Sequence, residues 1–227
     1  MLTAKDIKQQ LGREAADLIT AGMIVGLGTG TTAHWLIDAL GQRVREGLDI
    51  SAVATSAKTA GLARQYGIPL LTLNEVVRID LTIDGADEID PQLRLIKGGG
   101  GALLQEKMVA AASAKLLIIA DESKRVTQLG TFPLPVEVVP YNWTHVQRRL
   151  EKTYHIPATL RMQDSQPFQT DHGHYIIDCA FGQIADASSL SHALNAIPGV
   201  VDNGLFLDLA KQAWIGYPDG RVEKLAK

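Results

Sequence analysis

Between residues 23 and 120 short apolar runs of strand length alternate with stretches of helical periodicity, and this alternation restricts the fold more than any other feature of the chain. Residues 23–27, 50–54, 70–73, 81–83, 93–96 and 116–120 read as strands. A helical pattern runs from Ala33 to Leu40, and Ser56 stands as the N-cap of another that Gly67 stops. Strands separated by helices pair in parallel, because each helix carries the chain back along the sheet before the next strand begins. Ahead of the first strand, Thr3 and Asp6 match a capping box, and Ile7, Leu11, Ala15 and Leu18 recur at helical spacing up to Gly22.

The alternation breaks at Phe132, Pro133, Leu134 and Pro135, which marks a domain boundary. Residues 136–141 then read as a strand, 143–154 as a helix, 158–162 and 175–180 as strands, and 188–196 as a helix. With a further strand near 200–206 this order predicts a split α+β motif. Residues 213–216 and 221–225 flank a Pro218-Asp219-Gly220 turn, so the tail reads as a hairpin that returns to the first sheet.

Charge and cysteine use limit the partners. A net charge of −3 over 227 residues provides no general attraction to nucleic acid or to an anionic membrane, so any phosphate must be held locally. Cys179 is the only cysteine and reads as a buried thiol in a reducing compartment. Residues 1–10 lack the apolar centre of a targeting segment, and no apolar run is long enough to span a bilayer, so the expected compartment is the cytoplasm.

Two turns carry chemistry. Gly28, Thr29, Gly30, Thr31 and Thr32 lie between a strand and a helix, where backbone N–H groups, hydroxyls and the positive end of the helix dipole suit a phosphate. No Lys-Ser/Thr pair follows and the spacing of a dinucleotide fingerprint is missing, so a small phosphorylated ligand fits better than ATP or NAD, while the segment alone reads equally well as an unliganded βα turn. His34 reads as an ordinary helix-face residue. The second stretch runs from Asp84 to Lys107 and places Asp84, Asp87, Glu88 and Asp90 before Lys97 and four glycines, 98–101. Glycines at this density permit close approach of a ligand to the backbone, and the residues after them are helix formers, so the run reads either as an anion-binding helix start or as a flexible loop. The acidic cluster lacks the spacing of a calcium loop and suits hydroxyls of a polyol, a magnesium ion or plain solvent. Lys97 reads either as an exposed lysine or as a charge that neutralises a phosphate or an enediolate. Helical periodicity sets Leu104 and Met108 as the apolar stripe of this helix and turns Glu106 to the surface.

The ordered set GLGTGTTA (26–33), DGADEID (84–90), KGGGGALLQEK (97–107) and ADESK (120–124), extended by FPLPVEV and NAIPGVVDNGLF, resembles the ribose-5-phosphate isomerase A family along essentially the whole chain. Gln105 departs from the arginine expected before the glutamate. The resemblance implies a cofactor-free and metal-free interconversion of ribose 5-phosphate and ribulose 5-phosphate. It implies Glu106 as the general base, Lys97 as the group that stabilises the enediolate, and Asp84 and Asp87 as holders of hydroxyls that assist ring opening. Thr29, Gly30, Thr31, Thr32, Gly85, Ala86, Gly98, Gly99, Gly100 and Lys124 would line the sugar phosphate, with Lys8 as a further phosphate candidate. It also implies a Rossmann-like, mostly parallel α/β sheet with helices on both faces over residues 1–131 and 207–227, an inserted ferredoxin-like α+β domain over 132–206, and a homodimer. A non-catalytic sugar-phosphate sensor would use the same phosphate turn, but such a regulator needs a DNA-binding module, and one helix before the first strand supplies none. A metal-dependent sugar-phosphate enzyme ranks third.

Overall fold

The computed structural model describes all residues, 1–227. In chain order the helices are α1 (Ala4–Ala16), α2 (Thr31–Arg45), α3 (Ala57–Gln65), α4 (Leu103–Ala111), α5 (Trp143–Tyr154) and α6 (Ala187–Asn195). The strands are β1 (Ile24–Leu27), β2 (Ser51–Ala54), β3 (Leu81–Asp84), β4 (Glu88–Ile89), β5 (Leu95–Ile96), β6 (Leu116–Asp121), β7 (Leu134–Val138), β8 (Ala158–Leu160), β9 (Met162–Gln163), β10 (Gln166–Pro167), β11 (Tyr175–Cys179), β12 (Val200–Asn203), β13 (Leu205–Phe206), β14 (Gln212–Gly216) and β15 (Val222–Ala226). They divide into two compact units, one of Met1–Ala86, Gln105–Arg125 and Asp208–Lys227, the other of Asp87–Leu104 and Val126–Leu207.

The first unit is built on a six-stranded sheet in the order β15-β14-β6-β3-β1-β2. Every pairing is parallel except the β14–β15 hairpin, as the alternation predicts. Side chains of a strand point alternately to opposite faces, so Val25, Leu27, Ile83 and Ile119 meet α1 and α2 in one core while Val53 packs with Val109 of α4 in another. The sheet is therefore Rossmann-like with helices on both faces. The Thr3–Asp6 capping box forms at the start of α1 with both reciprocal bonds present. The segment expected as a strand at 70–73 makes only an isolated bridge between Leu70 and Ala52 and then enters a short 3-10 turn at Leu73–Glu75. The side chain of Glu75 accepts from the backbone and hydroxyl of Thr72, so a local cap replaces ladder bonds there.

In the second unit β12-β7-β11-β8 form an antiparallel sheet with α5 and α6 on one face, which is the ferredoxin-like order. Asp87–Leu104, which the sequence pattern groups with the first domain, packs in this unit, because β4 pairs with β5 and β5 with β13. Pro135 lies inside β7 rather than at a break, with its carbonyl accepting from Gly204 N–H. Cys179 is fully buried between β7 and β8, and burial pushes its thiol up to about 12. Since the thiolate is the nucleophile, the native protein is expected to leave a colorimetric thiol reagent unreacted at pH 8 over a period in which the urea-unfolded chain reacts fully. Prompt reaction of the native protein would contradict the burial. No helix is long and apolar enough to cross a membrane.

Candidate active site

In a parallel sheet ligands bind beyond the carboxyl ends of the strands. In the first unit that edge collects the turn after β1, Ser56 after β2, Asp84 at the end of β3 and the Glu122–Lys124 turn after β6. Asp84 is 1% exposed and its Oδ1 accepts from the backbone N–H groups of Thr29 (3.1 Å) and Gly85 (2.7 Å). A Cβ on Gly28 would stand 2.2 Å from that carboxylate, so only glycine lets this turn lie against the acid.

The turn is stiffened from the other side. The Thr29 hydroxyl lies 2.8 Å from those of Thr55 and Ser56, and the Thr59 hydroxyl donates to Gly28 O at 3.0 Å. Thr29 is one of the residues expected to line the ligand, and this network also engages its hydroxyl in holding the start of α3 beside the start of α2. Thr32 is likewise turned inward at 8% exposure, whereas Gly30 and Thr31 are exposed. Two helix N-termini therefore flank the turn, each presenting the positive end of its dipole.

A cavity of about 480 Å³ opens over this turn, lined by Lys5, Lys8, His34, Trp35 and Lys58 among others. Lys8 Nζ also reaches Asp121 Oδ2 at 3.9 Å, and Lys5 Nζ lies 5.6 Å from the centre of the Trp35 ring. Lysines and helix starts around one small cavity are surroundings that favour an anion. His34, read from sequence as a plain helix-face residue, lines the cavity because it stands one turn beyond Gly30, to whose carbonyl its N–H donates. Lys58 belongs to none of the sequence motifs, and its place one residue past the start of α3 is the signal that marks it. Lys124 belongs to the 3-10 turn that Asp121 caps through Ser123 N–H.

Glu106 overturns the surface expectation: it is 5% exposed, whereas Met108 is 46% exposed. The buried stripe of α4 is Leu103, Glu106, Val109 and Ala110, at spacings of three and four, and not Leu104 and Met108. Gln105, in the position where an arginine was expected, donates from Nε2 to Ala54 O at 2.9 Å, so an amide suffices to tie the first turn of α4 to the end of β2.

The acidic cluster separates by role. Glu88 is 3% exposed and accepts from Gly130 N–H (2.7 Å) and Phe132 N–H (2.6 Å), while Asp90 accepts from Gln92 N–H, Arg94 N–H and Arg94 Nε. Both are structural. Asp87 instead holds the glycine run in the second unit, its Oδ2 accepting from Gly99 N–H at 2.7 Å. Gly98 adopts φ 108°, closed to L side chains, and its carbonyl accepts from Gly101 N–H, so the glycines form an ordered turn rather than an open loop. Lys97 is 3% exposed, with its ammonium 5.5 Å from the centre of the Phe206 ring.

Comparison with known proteins matches residues 51–220 to the family described as ribose 5-phosphate isomerase A (phosphoriboisomerase A). The chain is 53% identical over 218 residues to the ribose-5-phosphate isomerase A of Ruegeria sp. strain TM1040, covering 93% of this chain and 83% of that one. The solved structure of ribose 5-phosphate isomerase A from Methanocaldococcus jannaschii is similar with a TM-score of 0.93 at 42% identity, over 99% of this chain and 100% of that one. A D-ribose-5-phosphate isomerase solved in complex with phospho-erythronic acid is similar with a TM-score of 0.96 at 37% identity, over the full length of both.

Proposed function

The chain belongs to the ribose 5-phosphate isomerase A family and is an isomerase of ribose 5-phosphate, and from that premise we propose that Glu106 is its general base. The observation that carries the assignment is the burial of this carboxylate in the first turn of α4, where pattern alone would expose it. A carboxylate shielded from bulk water holds a defined position for proton transfer and keeps water from competing for the intermediate.

In the open-chain aldose, Glu106 takes the proton from C2, the C2–H electron pair forms the C1–C2 double bond, and O1 becomes the negative end of an enediolate. Lys97 stabilises that charge. Transfer of the O2 proton to O1 and return of the Glu106 proton to C1 complete ribulose 5-phosphate, with no net redox change. Asp84 and Asp87 accept from sugar hydroxyls and assist ring opening. Gly30 and Thr31, with Lys8 and the two helix starts, bind the phosphate, Gly85, Ala86 and Gly98, Gly99 and Gly100 line the sugar, and Lys124 contributes a further positive charge. Phospho-erythronic acid, bound by a relative, fits such a site because its carboxylate shares the planar, doubly oxygenated negative end of an enediolate.

The enzyme acts on a small phosphorylated sugar, and we place it in the cytoplasm as a homodimer. A direct assay for ribulose 5-phosphate formed from ribose 5-phosphate by purified protein tests the reading, with sedimentation of the same sample testing the dimer. Turnover on addition of substrate alone is the expected result; tight binding without turnover would favour a sensor instead.

A further inference from the structure

The glycine turn of the second unit is held by a side chain that no motif contains. Arg161, between β8 and β9, donates from Nη1 to the carbonyls of Gly98 (2.7 Å) and Gly99 (3.2 Å). Its remaining donors form a fork on Asp178 of β11, with Nε to Oδ2 at 2.9 Å and Nη2 to Oδ1 at 2.5 Å. The guanidinium is only partly accessible, at 16% exposure of the side chain, and stands 5.9 Å from the centre of the Phe168 ring.

A peptide unit is planar, so holding its carbonyl also sets the direction of its N–H. The Gly98 carbonyl and the Gly99 N–H belong to one peptide, which is held at both ends, by Arg161 on the oxygen and by Asp87 Oδ2 on the nitrogen at 2.7 Å. The next peptide is held through the Gly99 carbonyl, which turns the Gly100 N–H away from Arg161. Successive glycines have the largest backbone freedom of any residue type, and without these bonds their peptide planes would reorient readily. Lysine offers neither the bidentate grip on Asp178 nor a third donor fixed relative to it.

We infer that Arg161, oriented by Asp178, is a positioning residue for the isomerisation: it sets the peptide planes of the 98–100 turn and thereby the placement of Asp87 and Lys97. This rests on the reading that Asp87, Lys97 and the glycines hold the sugar. In that reading the phosphate is held by Gly30, Thr31 and Lys8 and not by this turn, so loosening the turn acts on the reacting atoms more than on affinity. A misplacement of about 1 Å far from the chemistry is enough to cost on the order of a hundredfold in rate.

The test compares Arg161→Met, Arg161→Lys and Asp178→Asn with the parent protein by steady-state kinetics and by hydrogen exchange of the backbone amides of 98–101. Arg161→Met is expected to lower kcat at least about tenfold with KM within about threefold, to speed exchange in the turn and to leave exchange in α5 unchanged; Arg161→Lys recovers only part of the loss. Should Arg161→Met fail to fold, Asp178→Asn, which removes charge with little change of shape, is expected to give the same pattern at smaller amplitude. A folded Arg161→Met or Asp178→Asn with kcat within about twofold of the parent and unaltered exchange in the turn overturns the inference. Lys97→Ala, measured alongside, separates the two ways of failing. If it keeps full turnover, the turn lies outside the site and the underlying reading falls; if it loses turnover while the Arg161 and Asp178 variants do not, only the positioning role falls.

Discussion

Glu106→Gln is expected to lower kcat by roughly 10²–10⁴, about 3–5 kcal/mol of transition-state stabilisation, while the affinity for ribose 5-phosphate stays within about threefold. The substitution keeps the size of the side chain and its place on the buried face of α4, where Glu106 is 5% exposed. It removes only the capacity to take a proton from carbon. Gln105 continues to tie that turn to Ala54 O, so the geometry of the first turn is retained. The appropriate measurements are the initial rate of ribulose 5-phosphate formation and the binding of ribose 5-phosphate by calorimetry. Turnover close to that of the parent, in a variant that binds normally, would remove Glu106 from the role of base and leave Asp84 and Asp87 as the remaining carboxylates for it.

Glu88→Ala should produce the largest loss of stability without touching that chemistry. Both oxygens of this buried carboxylate accept backbone N–H groups, from Gly130 at 2.7 Å and from Phe132 at 2.6 Å. Bonds to a charged acceptor contribute about 1.5–3 kcal/mol each, and truncation leaves two donors without a partner in a place where water has little access, so a loss of about 3–6 kcal/mol is expected. Glu88→Gln keeps one acceptor oxygen and should lose roughly half as much. Urea unfolding of the three proteins under one condition decides the matter. A loss below about 1 kcal/mol for the alanine variant would show that the 130–132 loop does not depend on this carboxylate.

The contrast between Glu88 and Asp87 shows where sequence reading runs out. Adjacent acids in DGADEID are indistinguishable by composition, yet one secures a loop 42 residues away while the other holds the glycine turn 12 residues on. The side chains of neighbouring residues in extended chain point in opposite directions, and what each meets depends on segments that pair with it only after folding. Glu106 illustrates the same limit in a helix. A short helix offers more than one stripe at spacings of three and four, and Leu104 and Met108 suggested the wrong one; the packing of Val109 against Val53 and Ile79 selects the face that carries Glu106 inward.

Alternation of strands and helices determined the parallel sheet without help, because a helix between strands leaves few other ways to bury both apolar faces. Gly28, Gly30 and the threonines likewise marked a turn between strand and helix by local chemistry alone, and the βαββαβ order of the second unit was legible from turn residues and periodicity. The ordered motifs named the family, and with it the reaction. Tertiary structure alone decided that Thr29 engages its hydroxyl with Thr55 and Ser56, that Lys58 and His34 line the cavity over the 28–32 turn, that Glu106 is buried, and that Arg161 grips Gly98 and Gly99. The division has a physical cause: helix caps, turns and strand periodicity depend on residues a few positions apart, whereas burial and hydrogen-bond partners of a polar side chain depend on contacts across tens of residues that the linear pattern does not encode.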